Sequence, residues 1–235
     1  MTTYLDATGY PVAQAEPEAR AMFIRKTYAH LAGAIAGFVV LEVYLVNSAL
    51  APAMLKFISS TSYAWLAILG AFMIVGWMAS SLAQGTASTG VQYLGLALFV
   101  VAEGIIFVPL LYIAAFYAGP SVLPNAAILT GFMFLGLTII AFTTRKDFSF
   151  LGGVLTVGFL IALGLIVCSV IFGFQLGLIF SVVMVGLASA AILHDTSNVI
   201  HHFSTDQYVA ASLQLFASVA LLFWYVLRIL MAVRD

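Results

Sequence analysis

The chain has 235 residues, of which 64% are hydrophobic and 7% are Asp, Glu, Lys or Arg, with a mean hydropathy of +1.15 and a formal charge of −1. Soluble domains hold nearer ~45–50% apolar residues, so a bilayer is the solvent for most of these side chains. A near-neutral chain offers no Lys/Arg-rich face for nucleic acid, and with Cys168 as the one cysteine there is no intrachain disulfide or thiolate metal cluster.

Residues 1–26 read as a flexible cytoplasmic tail. The stretch from Met1 to Arg20 carries Pro11, Pro17 and acidic residues and lacks the apolar core of a signal peptide. Residues 27–235 read as an all-α transmembrane domain of seven helices, because a hydrocarbon core roughly 30 Å thick takes about 20 apolar residues per helix. The spans are expected over 28–47, 63–82, 91–114, 122–142, 151–172, 174–193 and 208–231. Arg20, Arg25 and Lys26 precede span one, and Arg145 and Lys146 lie between spans four and five. The positive-inside rule then places the N-terminus in the cytoplasm and, with an odd span count, the C-terminus on the opposite side. The short loops and the lack of a signal peptide point to a bacterial inner membrane. The tight connection at Gly173 makes spans five and six antiparallel neighbours. Gly33 and Gly37 on span one form a GxxxG pair, and Gly153, Gly158 and Gly164 thin span five, so close backbone approach is expected at both. Pro109 is expected to kink span three one turn beyond Glu103.

A few polar residues stand against this background. Glu42 and Glu103 fall inside spans one and three, which cross the membrane in the same direction. A charge at mid-bilayer costs at least ~2.5–3.5 kcal/mol on insertion scales, so such groups face the bundle interior or a water-filled cavity. Each is either a protonated Glu hydrogen-bonded to a neighbouring helix or part of an ion path. A second cluster, His194, Asp195, Thr196, His201, His202 and Asp206, is expected in the connection between spans six and seven. Imidazole with carboxylate can titrate near neutral pH or hold a metal ion. The plainer alternative makes Ser204 and Gln207 a capping box for span seven, with Asp206 favouring the helix dipole. Asp195 at this point suits a cytoplasmic half-gate. Arg228, near the far end of span seven, is explained by snorkelling to headgroups. The sequence holds no zinc-protease motif, nucleophile elbow or P-loop, so an enzyme reading has no support, and no cofactor is implied.

The stretch Thr144-Arg145-Lys146-Asp147-Phe148-Ser149-Phe150-Leu151-Gly152-Gly153 resembles the loop into span five of the Bax inhibitor-1, or transmembrane Bax inhibitor motif, family, in its YccA-like bacterial branch. Phe23 to Tyr28, Ala102-Glu103-Gly104 with Pro109-Leu110-Leu111, Asp195-Thr196 and Tyr225 to Leu230, which contains Arg228, agree with it in the expected order. The resemblance implies a seven-helix bundle with the seventh helix central. It also implies one of two activities: a pH-sensitive calcium leak, or modulation of a membrane-bound AAA protease. Calcium or protons, and that protease, are the partners it suggests beyond the lipid bilayer. In the family the leak rests on two aspartates, one ending span six and one within span seven, with an arginine latch in span two. Asp195 matches the first aspartate, the second falls on Ser218, and span two contains no arginine. Two carboxylates sharing a site form a proton switch, whereas Asp195 with Ser218 lacks the second carboxylate. Asp206 is a candidate substitute, though it lies at the helix start. Glu103 is then the remaining carboxylate for a conduction path.

Overall fold

The computed structural model describes residues 11–61, 63–84 and 88–233. Its helices follow the apolar runs. They are α1 Pro17–Val46, α2 Leu50–Ser60, α3 Ala64–Gln84, α4 Thr89–Phe116, α5 Val122–Thr144, α6 Leu151–Phe172, α7 Gly177–His201 and α8 Tyr208–Ala232. Seven of them, all but α2, are long and apolar enough to cross a membrane. Among the described residues there is no strand, only an isolated antiparallel bridge between Pro11 and Ser204. The protein is an all-α, seven-span membrane protein.

The N-terminal segment departs from the expected tail of residues 1–26. Pro17 sits in the first turn of α1, where its missing N–H costs nothing and its fixed φ is already helical. The helix therefore starts well before residue 27. Upstream, Val12 is fully buried and its N–H donates to the Phe203 carbonyl at 2.9 Å. Phe23 packs on Phe203 with ring centroids 6.4 Å apart. Residues 11–26 are thus fastened to the α7–α8 connection, and residues 1–10 of the expected tail lie outside the described residues.

A second difference is α2, which sequence patterning leaves as a loop. Pro52 falls in its first turn, where proline is tolerated. At 11 residues α2 reaches roughly 16 Å, about half a bilayer core. A third difference concerns α7. It does not stop near residue 193, where hydropathy falls, but runs on through His194, Asp195 and Thr196 to His201.

Packing concentrates on α4 and α8. The last span, α8, lies against α1, α3, α4, α5 and α7. Its buried face includes Leu215, Leu222 and Leu227, each with no exposed surface. Aromatic rings lock α8 to α4 and α3: Trp224 meets Phe107 edge-on at 4.8 Å and stacks on Trp65 at 5.8 Å. By contrast α6 buries only Leu155 and Ala162, so its surface is left for lipid. Pro109 is buried within α4, and the helix continues through it to Phe116.

Close backbone approach occurs at a different glycine from those in the GxxxG pair. A Cβ on Gly33 or Gly37 would meet nothing within 4 Å. At Gly95 it would lie 2.6 Å from the Ala79 carbonyl oxygen and 2.8 Å from the Ala83 nitrogen, both backbone atoms of α3. Gly95→Ala is therefore expected to force α3 and α4 apart and destabilise the protein by about 1–3 kcal/mol. Gly37→Ala, which gains helix propensity without a clash, is expected to be neutral or slightly stabilising. Thermal unfolding of the two variants in detergent micelles checks both.

Candidate functional site

The basic residues near α1 and the α5–α6 loop share one end of the bundle. An Arg20 guanidinium nitrogen lies 3.4 Å from the Ile200 carbonyl oxygen near the end of α7. Arg145 ends α5 in a left-handed conformation, φ 50°, and both Arg145 and Lys146 are exposed. Asp147 then pins the loop to α7. Its Oδ1 accepts from the Ser149 N–H at 2.8 Å and from the Ser197 hydroxyl at 3.4 Å, and its Oδ2 lies 3.0 Å from His202 Nε2. The Phe148 N–H donates to Ser197 Oγ at 2.9 Å. The Arg145-Lys146-Asp147-Phe148 motif is thus a docking turn that carries the chain from α5 into α6.

Asp195 lies just inside this basic end, and its side chain reaches α8. Oδ1 accepts from Gln214 Nε2 at 2.6 Å, and Oδ2 accepts from the Ser218 hydroxyl at 2.5 Å. His194 Nδ1 lies 3.1 Å from Oδ1, and Asn198 Nδ2 lies 3.3 Å from the same ring nitrogen. Asp195 is buried, at 4% exposure, and both carboxylate oxygens are engaged, as a buried acceptor requires. Charge-assisted bonds of this kind are roughly twice as strong as neutral ones. This arrangement changes the sequence reading in two ways: Asp195 sits within α7 rather than in a connection, and Ser218 touches it directly. The serine hydroxyl occupies the place facing Asp195 and supplies a donor there.

The rest of the expected cluster disperses. Asp206 is exposed in the turn before α8, away from Asp195, so it does not replace a second pore aspartate. His202 belongs to the Asp147 contact, and His201 lies near the end of α7. Among the described residues, no three His, Cys, Asp or Glu side chains gather as metal ligands. The expected capping box does not cap α8, whose N-cap is Gln207; the Ser204 N–H instead donates to Gln207 Oε1 at 3.0 Å within the preceding turn.

Two cavities of about 510 Å³ each flank this region. Each has room for on the order of ten waters. The first is lined by Asp195, His194, Gln214 and Ser218 together with the N-terminal half of α6 from Gly152 to Phe159. Gly152 matters here, because a Cβ on it would lie 3.1 Å from His194 Nε2. The second lies toward the other end of the bundle, beside the α6–α7 connection, among Trp65, Glu103, Ser169, Gly177, Tyr225 and Arg228. Arg228 is half-buried, 6.0 Å over the Tyr225 ring. Its position on a cavity wall differs from plain snorkelling.

Glu42 and Glu103 meet across the α1–α4 interface. Both are buried, at 5% and 6% exposure. A Cβ on Gly104, the residue after Glu103, would lie 3.2 Å from Glu42 Oε1, so the glycine leaves room for that carboxyl. Among the described residues, neither Glu42 oxygen nor Glu103 Oε2 has a hydrogen-bond partner. Sequence reasoning flagged each residue singly. Their convergence depends on how α1 crosses α4.

Seven apolar helices holding a hydrogen-bonded aspartate, two buried glutamates and two cavities that these residues line define a polytopic helical membrane protein with an internal polar site. The family model described as Inhibitor of apoptosis-promoting Bax1 matches residues 20–235, and the chain belongs to the Bax inhibitor-1 family. It is 39% identical over 114 residues to an uncharacterised Pseudomonas aeruginosa protein, covering 47% of this chain and 50% of that one. It is 38% identical over 108 residues to Escherichia coli K12 YccA, named a modulator of FtsH protease, covering 45% of this chain and 49% of YccA. These bacterial matches span about half the length of each relative. A match to LIFEGUARD 4 of Arabidopsis thaliana is 33% identical and covers 95% of this chain and 90% of that protein.

Asp147 provides a pH test of the docking turn. The Ser149 N–H, and after it His202, hold its carboxyl at about 2, below the ordinary 3.8. A lowered folded-state value stabilises above the unfolded one and is lost as pH falls through the folded one. Asp147 is exposed and solvent-screened, so its contribution is small. Asp147→Asn is expected to lower the unfolding temperature slightly at pH 7, with the difference from the parent shrinking as pH drops from 3.8 toward 2. Thermal scans across that range check it.

Proposed function

We propose that this protein is a pH-sensitive cation leak pathway, with calcium as the reference ion, Asp195 as the gate and Glu103 as the carboxylate lining the path. The basic end is taken as cytoplasmic by the positive-inside rule. The observation that carries the reading is the double bond from Asp195 to Gln214 and Ser218 on the wall of a cavity. An ionised Asp195 clamps α7 to α8. Without that charge, as in Asp195→Asn, both bonds weaken and the clamp loosens. Asp195 and His194 are the titratable groups on that cavity wall. Beyond it, Glu103 lines the second cavity as its carboxylate. Ser218 in place of a second carboxylate leaves the gate without a carboxylate pair and its coupled titration steps.

A second reading is favoured by the name of one relative: the chain modulates a membrane-bound AAA protease and conducts nothing. In that case the exposed Arg145–Lys146 turn is an accessible contact point, and Asp195 is only a structural clamp.

Calcium efflux from sealed proteoliposomes at pH 6 and pH 8 separates the two. The leak reading expects protein-dependent flux that is faster at pH 6, raised at pH 8 by Asp195→Asn and reduced at both by Glu103→Gln. Flux equal to that of empty vesicles in all three proteins rejects the leak and leaves the modulator reading.

A further inference from the structure

The two cavities are built on one stripe of α8. Gln214, Ser218, Leu221, Tyr225 and Arg228 recur at intervals of four, three, four and three residues, which places them along one helix face. Gln214 and Ser218 line the Asp195 cavity; Tyr225 and Arg228 line the Glu103 cavity. Among the described residues, Leu221 is the one side chain that belongs to both walls.

Leu221 is half-buried and packs against the apolar cluster of Ala162, Phe180, Met184 and Tyr225, against which Phe159 and Ile166 of α6 also pack. Phe159 borders the first cavity and Ile166 the second, so α6, like α8, contributes to both walls. Between Ser218 and Leu221 the helix rises about 4.5 Å, so the apolar partition is one side-chain layer thick. A hydrophobic constriction of this kind stops ions by excluding the water they must carry.

We propose that Leu221 is the barrier of the pathway, an apolar partition between an Asp195 half-channel and a Glu103–Arg228 half-channel that open toward opposite ends of the bundle. This inference rests on the leak reading and supplies its point of closure. The Asp195 clamp lies one turn away on the same face of α8, so a change in how α7 holds Ser218 acts directly on the seat of Leu221.

Two experiments test it. In proteoliposomes, Leu221→Asn brings a donor and an acceptor into the partition and is expected to raise calcium flux roughly tenfold, equivalent to about 1.36 kcal/mol off the barrier. Leu221→Phe is expected to lower it. In a Cys168→Ala background, Ala217→Cys and Ser169→Cys place thiols in the first and second cavities. A membrane-impermeant thiol reagent is expected to reach Ala217→Cys only from the basic end and Ser169→Cys only from the other. Flux in the parent and Asp195→Asn proteins that neither Leu221 substitution alters overturns the barrier alone. Absence of flux in every protein overturns the barrier and the leak together. Labelling of either cysteine from both sides overturns the partition whatever the flux.

Discussion

The carboxylate of Asp195, taken out of water inside a chain that is 7% charged, is the constraint around which the polar interior is arranged. A buried charge of this sort survives only if its oxygens are met by donors. Here α8 meets them with Gln214 and Ser218. The result is a polar cross-link between the last two spans, in a bundle joined mostly by apolar contact and by a few other polar pairs such as His30 with Tyr93 between α1 and α4. Because lipid tails are as apolar as leucine, packing and interhelical hydrogen bonds, rather than a hydrophobic drive, decide how such helices associate. One aspartate therefore influences where α8 sits against α7.

The same stripe of α8 continues past Leu221 to Tyr225 and Arg228, so the helix that holds the aspartate also forms walls of both cavities. Glu103 faces the second cavity from α4 and meets Glu42 from α1. Polar groups are thus distributed on both sides of one apolar layer. That distribution is economical for a slow leak, because a small displacement of a single layer changes the continuity of water between two existing cavities. It also suits a protein whose main task is contact with another membrane protein, since the clamp then serves only to fix the bundle.

Much of this was legible in the sequence because a bilayer permits few structures. Apolar length located all seven spans, although α1 starts at Pro17 and α7 runs on to His201, and the cost of charge in lipid singled out Glu42 and Glu103. The errors have physical causes. Hydropathy falls at His194, yet α7 continues to His201, because Asp195 and Ser197 find partners on α8 and on the α5–α6 loop. Helix α2 is too short to announce itself as a span. Ser218 looked like the loss of a carboxylate, but a hydroxyl facing a carboxylate is a donor, and only the packing of α8 against α7 reveals that contact. The Gly33–Gly37 pair advertised a close approach that the bundle makes at Gly95, because a glycine spacing does not say which face of a helix is turned inward. Leu221 carried no signal, since nothing in its chemistry separates it from the other leucines of the chain.

The central claim is that the Asp195–Ser218 bond ties α7 to α8. A double-mutant cycle measures it most directly: unfolding free energies in mixed micelles at pH 8 for the parent, Asp195→Asn, Ser218→Ala and the double variant. The account predicts that the two losses fail to add, with a coupling on the order of 0.5–3 kcal/mol. Strict additivity, with the double variant losing the sum of the two single losses, would contradict it.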